Sequence, residues 1–418
     1  MSGRGASRAL VLLAAAALAA CGAAGLSSSR APALDSHDSR ESPDAPSALD
    51  VLRGGAPLGG ASDGRFARAL TVRRFEFPQD AGPHPQFRHE WWYLTGHLRA
   101  TDGARFGFEL TFFRVALAPP PSAASVHYGA ALEASGSRWR TNQIYVAHFA
   151  VTDVAGQLFH STARYARDAL GLAGARADPF CVWLGDWSLG ATGGDEEWSL
   201  RAGDASYGLM LRLHALGAPV LNGDRGLSVK SDVPGSASYY YSIPRLEVEG
   251  TLTRAGSALP VSGLAWLDRE WGSGSLGPRE QGWDWFALQF ANGSTLMFYS
   301  LRDEHGAPDP HSAGTWVGAD GAVRPLSSGD VRIDVESHWS SPTGDRYPSR
   351  WRVRVSSLGV DAELTPLLAD QELDTAPRYW EGDVSVASHA SGRSLGQGYV
   401  ELVGYGPAVP RGPATSVR

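Results

Sequence analysis

The sequence predicts an all-β protein whose antiparallel strands form a barrel or a sandwich. Its 418 residues include 14 Trp, 13 Tyr and 14 Phe with 50 Gly and 26 Pro, a composition that favours strands and tight turns over helices. Apolar, alternating segments recur roughly every ten residues, as in antiparallel barrels and sandwiches. Asn-Gly or Asp-Gly pairs, which favour turns, follow several of these segments, at 102–103, 222–223, 292–293 and 320–321.

The N-terminus carries the features of an export signal. A start containing two arginines precedes an apolar run over residues 9–20, which is too short to span a membrane as a mature helix. The run ends in LAAC at Cys21 and matches the lipobox of bacterial lipoproteins, in which the cysteine is lipidated. We expect residues 1–20 to be a signal peptide and Cys21 to anchor an exported protein to the cell envelope. Gly22 carries no inner-membrane retention signal, which favours the outer membrane; an ordinary secretory signal is the alternative.

Residues 21–67 are predicted to form a disordered tether. They are rich in Ser, Ala, Asp, Pro and Gly, and they contain too few apolar groups to offset the entropy of ordering. The remaining chain of roughly 350 residues is long enough for two domains.

Charge and motif content exclude several functions. The formal net charge of −7 is mild and argues against a nucleic-acid partner. The sequence contains neither a CxxC nor an HExxH motif, and its 12 His are scattered, so no metal site is expected. No segment after the signal is apolar enough to cross a membrane.

The first ordered hairpin is predicted within residues 75–115, with its turn at 102–103. Before the turn, Glu90 and Trp92 alternate with Trp91 and Tyr93, so the two pairs lie on opposite faces of a strand. After the turn, Glu109 shares a face with Thr111 and Phe113 and is a second candidate for an acid inside the fold. Further short strands are predicted within residues 143–157, 180–192, 196–203, 207–214 and 227–229, and a junction near Pro244.

The most informative stretch, residues 263–302, combines tryptophans with acids. Trp266, Asp268 and Glu270 alternate with Leu267, Arg269 and Trp271. Aromatic walls and a few acids in a β-scaffold indicate a ligand cavity with proton chemistry. In the alternative interpretation, Asp268, Arg269 and Glu270 form an ion pair that caps a hydrophobic core, and spacing alone leaves both interpretations open.

A second hairpin closes this stretch at Asn292-Gly293. We expect a type I′ turn, which requires a positive φ at both central residues. Trp283 and Trp285 share one face of its first strand, while Asp284 lies on the apolar face, where a carboxylate is costly unless paired. Later strands are predicted within residues 315–326, 331–341, 350–357, 361–373, 378–386 and 398–406.

Five motifs occur in the order seen in one known family. They are EWWY at 90–93, AWLDREWG at 265–272, WDWF at 283–286, YWEG at 379–382 and GYVEL at 398–402. Together they resemble the AttH/CrtC family, which contains the carotenoid 1,2-hydratases and many exported proteins labelled predicted secreted hydrolases. The resemblance covers residues 73 to 406.

The resemblance implies two lipocalin-like antiparallel β-barrel domains in tandem, over residues 68–255 and 256–410, with a pocket for long apolar molecules. In the hydratases water is added across a terminal isoprenoid double bond without a redox cofactor. By this resemblance, Asp268 would donate the proton, with a pKa raised by burial, and Trp271, Trp283 and Trp285 would face the resulting cation.

Two positions depart from the hydratase pattern. Arg269 stands where the hydratases carry a histidine in the central motif. An arginine stays charged and cannot shuttle protons, and we expect it to hold Asp268 or Glu270 ionised. After the hairpin, Tyr299 is not followed by the acid of the expected Tyr-x-Asp pattern, and the nearest acid is Asp303.

Three functions follow from this sequence. The first is acid-catalysed hydration or cyclisation of an isoprenoid or other polyene, and the second is non-catalytic carriage of a lipid or other hydrophobic ligand. The third, a secreted hydrolase, ranks last because the sequence lacks a Gly-x-Ser-x-Gly elbow in a strand–turn–helix setting. We expect no cofactor, and the expected partners are a hydrophobic small molecule or lipid and, through Cys21, the membrane.

The candidate catalytic residues are Asp268, Arg269, Glu270, Trp271, Asp284 and Tyr299. The candidate ligand-binding residues are Glu90, Trp91, Trp92, Tyr93, Glu109, Trp266, Trp283, Trp285, Tyr379 and Trp380.

Overall fold

The protein folds into two curled antiparallel sheets, and the all-β prediction is confirmed. The computed structural model describes residues 66–120, 141–194, 196–274, 276–277, 280–375 and 378–406. The predicted signal peptide, Cys21 and nearly all of the predicted tether lie outside the described residues. Two short 3-10 turns, Gln79–Ala81 and Ser356–Leu358, accompany the strands. None of the described residues belongs to a helix that is both long and apolar enough to span a membrane.

The first sheet forms a nearly closed barrel of 13 strands. Their order is β4-β3-β2-β1-β13-β12-β9-β8-β7-β6-β5, with β10 and β11 paired to β12. The strands are β1 (His89–Ala100), β2 (Arg105–Ala116), β3 (Gln143–Asp153), β4 (Leu158–Arg167), β5 (Ala173–Ala177), β6 (Phe180–Leu184), β7 (Trp187–Ala191), β8 (Glu197–Gly203), β9 (Tyr207–Ala215), β10 (Val220–Leu221), β11 (Leu227–Val229), β12 (Ala237–Arg254) and β13 (Ser257–Gly272).

The second sheet forms a half-barrel of ten strands. Their order is β17-β16-β15-β14-β23-β22-β20-β19-β18, with β21 paired to β22. The strands are β14 (Glu280–Phe290), β15 (Thr295–Asp303), β16 (Ala313–Val317), β17 (Val323–Ser327), β18 (Arg332–Ser340), β19 (Arg346–Val355), β20 (Val360–Pro366), β21 (Glu372–Leu373), β22 (Tyr379–Ser388) and β23 (Ser394–Val403).

The division between the sheets differs from the domain boundary predicted at residue 255. Ala255 and Gly256, both with positive φ, form the turn of a hairpin between β12 and β13 rather than a linker. On its other edge β13 pairs with β1 from Val261 to Gly272. The first sheet therefore extends to Gly272, and the second sheet starts at Glu280.

The two Asx-Gly hairpins do not have the type I′ turn that we expected at Asn292-Gly293. Only the glycines have a positive φ, +90° at Gly103 and +94° at Gly293. In each loop the glycine N–H donates to the carbonyl three residues earlier, that of Ala100 or Phe290. Each loop therefore has one more residue than a two-residue turn, and only its glycine must be left-handed.

The interior of the first barrel is packed with apolar side chains around a small buried ion-pair network, and it is not a ligand chamber. Leu94, Phe108, Phe149, Leu189 and Trp271 are among its fully buried members. The concave side of the second sheet is likewise filled by a core of its own. Any ligand cavity must therefore lie elsewhere.

The two sheets pack against each other through polar as well as aromatic contacts. The Tyr93 hydroxyl on β1 donates to Glu381 on β22 at 2.6 Å, and the Gln289 side chain on β14 donates to the carbonyls of Pro244 and Ala265. Aromatic side chains from both sheets, including Tyr240, Trp266, Trp285 and Tyr299, fill much of the remaining interface. The interface leaves a cavity between the sheets.

Candidate functional site

A cavity of about 120 Å³ lies between the two sheets, outside both cores. An apolar cavity of roughly 150 Å³ accommodates benzene, so this one has room for a group the size of one ring. Eight aromatic side chains line it, together with acids, one lysine, and aliphatic and small polar residues. The lining includes Trp91, Tyr93, Phe113, Tyr240, Trp283, Trp285, Tyr299 and Tyr379 among the aromatics and Asp268, Glu270, Glu401 and Lys230 among the charged residues.

Asp268 on β13 is the buried acid of one cavity wall. Its carboxyl accepts hydrogen bonds from the Ser242 hydroxyl at 2.5 Å, the Trp266 indole N–H at 2.7 Å and the Tyr240 hydroxyl. Burial raises the pKa of Asp268 to about 7, although the three donors favour the ionised form. At neutral pH this carboxyl is therefore present in both protonation states and is able to give or take a proton.

A chain of hydrogen bonds connects Asp268 to the second sheet. The Trp285 indole N–H on β14 donates to the Tyr240 hydroxyl at 3.1 Å, and Tyr240 donates to Asp268. Burial raises the pKa of Tyr240 well above its usual range, so its hydroxyl remains a donor. The position of the acid thus depends on both sheets.

Glu270, two residues further along the same strand face, lies in a different environment. The Lys230 ammonium is 3.4 Å from its carboxylate, and the Ser238 hydroxyl donates to it. The Lys230 nitrogen also sits 3.9 Å from the centre of the Tyr299 ring, and the Tyr299 hydroxyl is 2.9 Å from the Ser228 hydroxyl. The cavity therefore has one acid bound by neutral donors beside another that is paired with a cation.

The wall formed by the second sheet presents Glu401. The Trp283 indole N–H donates to this carboxyl at 3.1 Å. Burial raises the pKa of Glu401 to about 8, and nearby Glu109 adds to the shift. Glu401 is consequently mostly protonated at neutral pH.

Two further carboxyls, one from each sheet, lie in the interface next to the cavity. Glu109 accepts from the Thr111 hydroxyl at 2.5 Å and the Tyr379 hydroxyl at 3.3 Å, and burial raises its pKa to about 7. Burial and the neighbouring acids raise the pKa of Glu381 well above its usual range. One oxygen of each of these two carboxyls has no hydrogen-bond partner among the described residues. Buried acids without a cation are most stable when protonated.

Arg269 points away from the cavity, and the expectation that it would hold Asp268 or Glu270 ionised is wrong. Successive residues of a strand face opposite sides, so Arg269 enters the first barrel. There it pairs with Glu90 and stacks 4.0 Å from the centre of the Trp92 ring.

Trp271 also faces the barrel rather than the cavity. It stacks on His84 with 3.8 Å between ring centres. The resemblance implied that Trp271 would face a substrate cation together with Trp283 and Trp285. Its position in the barrel shows that it does not.

The remaining predicted site residues divide by strand face in the same way. Asp268, Glu270 and Tyr299 line the cavity, as do Trp91, Tyr93, Trp283, Trp285 and Tyr379. Trp266 and Glu109 contact lining residues from behind. Four residues lie away from the cavity: Glu90 and Trp92 in the first barrel, Trp380 in the core of the half-barrel, and Asp284, which is bound by Arg302 at 2.8 Å and by Tyr405.

Sequence reasoning missed several residues that shape the site. Ser238, Tyr240 and Ser242 share one face of β12, in the stretch interpreted as a junction. The alternation in SYYYS was a usable signal. Lys230 and Glu401 come from a short segment and from the last strand, and nothing local in the sequence links them to Asp268.

Among the described residues, one group has side chains close enough together to hold a metal ion. It consists of Glu336, Glu363 and His389 and does not line the cavity. Arg350 forms ion pairs with both glutamates, at 3.2 Å and 2.7 Å, so a protein cation already occupies this group.

The comparisons with known proteins identify the family of this fold. The AttH-like family model matches residues 68–405, and the chain belongs to this family, as the resemblance implied. A crystal structure of an AttH protein from Nitrosomonas europaea is 33% identical with a TM-score of 0.70, covering 82% of this chain and 100% of that one.

Two more distant relatives have enzymatic names. Kievitone hydratase from Nectria haematococca has a TM-score of 0.58 at 17% identity, covers 81% of this chain and 96% of its own, and shows the shared fold alone. Dehydratase asqC from Emericella nidulans is 26% identical over 206 residues, which is 46% of this chain. The chain spans 57% of the length of that relative.

Proposed function

We propose that the protein is a hydro-lyase that adds water to, or removes water from, an apolar substrate held between the two sheets. The observation that carries this proposal is the Asp268 carboxyl, buried in the wall of a tryptophan-lined cavity with a pKa of about 7. A carboxyl in this state is matched to proton transfer at neutral pH. The hydratase and dehydratase names of two relatives support water as the group transferred.

In the hydration direction, Asp268 donates its proton to one carbon of the double bond. The Glu270 carboxylate takes a proton from the water whose oxygen bonds to the other carbon. A proton then returns from Glu270 to Asp268 to restore the starting state, and dehydration is the reverse sequence. Two acids in contrasting environments are the expected basis for such a division of roles.

The size of the cavity supports a substrate whose reacting end is compact. With about 120 Å³, the site encloses one ring or one branched end of a chain rather than a whole polyene. A long isoprenoid, as the resemblance implied, would therefore insert only its terminal unit. Trp283 and Trp285 would exclude bulk water from that unit.

The test is Asp268→Asn, which keeps the shape of the side chain but removes the exchangeable acid. Purified protein is incubated with candidate alkenes and alcohols in ¹⁸O-labelled water, and mass spectrometry detects products that gain or lose one water. We expect the substitution to reduce turnover by about 10²–10⁴-fold, the usual contribution of a general acid, while ligand quenching of tryptophan fluorescence persists. The matched control is Asp102→Asn, since Asp102 is exposed and its turn bond suits an asparagine.

A hydrophobic carrier is the second candidate, because the cavity lining is mainly apolar. It predicts that wild-type protein binds apolar ligands and retains co-purified lipid but forms no hydrated or dehydrated product. That outcome, or an Asp268→Asn variant as active as wild type, would refute the hydro-lyase proposal.

We also propose that the protein is exported and anchored to the outer membrane through a lipid on Cys21. The support is the charged start, the short apolar run and the LAAC ending in the sequence. Cells grown with labelled palmitate should incorporate label into the wild-type protein and none into Cys21→Ser. Equal labelling of both proteins, or recovery of the wild type in a detergent-free soluble fraction, would contradict the proposal.

A further inference from the structure

Lys230 is the only lysine in the sequence, among 37 Lys and Arg residues. Its side chain is only 15% exposed, and it lines the cavity that contains Asp268. The chain uses arginine at each of its other Lys or Arg positions, yet the charged basic side chain that lines the candidate site among the described residues is a lysine. We therefore expect the function of residue 230 to depend on a property of lysine that arginine lacks.

The surroundings of Lys230 keep it charged and fixed. Burial alone would lower its pKa, but the Glu270 carboxylate and Tyr299 outweigh burial and raise the pKa above its ordinary value. The Glu270 oxygen at 3.4 Å takes one of the three ammonium donors, and the nitrogen lies 3.9 Å from the Tyr299 ring centre and 5.4 Å from that of Tyr240. The ammonium retains donor capacity at the cavity surface.

Lysine and arginine suit different oxygen ligands. The planar fork of arginine matches the paired oxygens of a carboxylate or phosphate, whereas the lysine ammonium is a compact point charge. An ammonium is thus the better partner for a single oxygen atom. In a cavity sized for one ring, the smallest group that offers such an oxygen is a carbonyl.

We infer that the substrate is a carbonyl compound, an α,β-unsaturated ketone or aldehyde or its β-hydroxy hydrate, whose carbonyl oxygen binds Lys230. This inference rests on the proposed hydro-lyase function and specifies its substrate class. The rest of the substrate is a ring-sized apolar group against Trp283 and Trp285.

The chemistry of such a substrate uses each charged group of the wall. An O–H bond of water breaks, its proton passes to Glu270, and the water oxygen bonds to the β-carbon. The π electrons of the double bond move toward the carbonyl, whose oxygen becomes an enolate oxyanion beside the Lys230 ammonium. The enolate then takes the Asp268 proton at its α-carbon, and a proton returning from Glu270 to Asp268 completes the cycle.

The charges of this cavity wall would stabilise the reaction of an isolated alkene less than that of an enone. Its protonation creates a carbocation, and the ammonium over the Tyr240 and Tyr299 rings would repel that charge where aromatic faces would otherwise attract it. The enolate route places negative charge beside Lys230 instead. A fixed cation beside the place where an oxyanion develops is the arrangement that stabilises such intermediates.

The single lysine allows a direct test. Protein grown with ¹³C-labelled lysine gives the signal of one lysine side chain, that of Lys230. We titrate it with benzylideneacetone, an enone with one ring, and with β-methylstyrene, which has the same ring and alkene but no carbonyl. We expect the enone to shift the lysine signal and to bind at least about tenfold more tightly than the hydrocarbon, as one hydrogen bond to a charged group provides. The hydrocarbon should quench tryptophan fluorescence without moving the lysine signal.

Two variants separate this inference from the proposed function. Lys230→Met should reduce enone affinity by about tenfold and leave hydrocarbon affinity nearly unchanged. Asp268→Asn should keep the preference for the enone even though it abolishes turnover.

Equal affinity for both probes, an unmoved lysine signal, or no binding of the enone overturns the inference. If Lys230→Met fails to fold, the titration of the wild-type protein alone decides this. A preference for the enone together with full activity in Asp268→Asn would instead refute the proposed function.

Discussion

Glu90 shows how a single residue can carry a family motif for a structural reason. Its carboxylate is fully buried and pairs with Arg114 and Arg269, both almost completely buried. Burial alone would raise the pKa of Glu90, but the two guanidinium groups hold it well below its ordinary range. Arg269 also donates to the Gly82 carbonyl, so the network ties the segment before β1 to β13. Motif positions 90 and 269 therefore stabilise the barrel that carries the cavity wall.

This network makes a prediction for Arg269. Arg269→Met leaves the buried Glu90 with one guanidinium instead of two, and breaking a buried ion pair typically costs about 3–5 kcal/mol. We expect a loss of that size in the free energy of unfolding, measured by urea denaturation. Replacing Glu90 by Gln in the same chain should lower the free energy of unfolding further, because the buried Arg114 then loses its carboxylate partner.

The matched control for this prediction is Arg324→Met, since Arg324 is exposed on β17. Its free energy of unfolding should stay within about 0.5 kcal/mol of the wild-type value. An Arg269→Met protein as stable as this control would show that the buried network does not stabilise the barrel.

At the scale of the element, β13 explains why one motif contains both structural and functional residues. Trp266, Asp268 and Glu270 face the other sheet, while Arg269 and Trp271 face the barrel core. The alternation of the sequence predicted this division, because side chains of a strand alternate strictly between its faces. The alternation could not say which face meets the cavity, since both faces of this strand are buried.

One of the two neighbours of β13 lay beyond sequence reasoning for a physical reason. The strand pairs with β1, more than a hundred residues earlier, and a partner so distant is selected by the packing of the whole sheet, not by local propensity. The other neighbour, β12, is joined to β13 by a tight turn, and its tyrosines and serines supply donors to Asp268 and Glu270. The Asp268 environment was therefore predictable as a buried acid, and the alternation of β12 was the local signal for its donors.

At the scale of the whole molecule, the functional cavity is a product of the packing of two sheets. Five motifs located the fold correctly, yet the tryptophan-walled chamber lies between the sheets and not within a barrel. Both curled sheets fill their own interiors with apolar side chains. The interface is where buried acids of both halves meet, and Glu401 joins Asp268 there because one face of β23, an interior strand of the second sheet, lines the cavity.

This concentration of acids predicts an unusual dependence of stability on pH. In the folded protein Asp268 and Glu109 have pKa values of about 7 and Glu401 of about 8, whereas unfolded carboxyls ionise near pH 4. Above pH 6.5 the folded state still binds protons that the unfolded state has released, so stability must fall as pH rises through these values. Below pH 6.5 the buried His89 and His148, whose pKa values burial lowers to about 4 and about 3, act in the opposite direction.

We therefore expect the Tm, measured by calorimetry at constant ionic strength, to fall by a few degrees between pH 6.5 and pH 8.5. Together the three carboxyls contribute roughly 3 kcal/mol over that range by linkage. Glu401→Gln keeps a neutral side chain at all pH values, so its Tm should fall less steeply, whereas Glu247→Gln, at an exposed position of β12, should follow the wild type. Equal slopes for Glu401→Gln and wild type would mean that Glu401 is already ionised in the folded protein. A Tm that is constant or rises with pH in this window would mean the same of all three carboxyls, and Asp268 would then lack the proton that hydration requires.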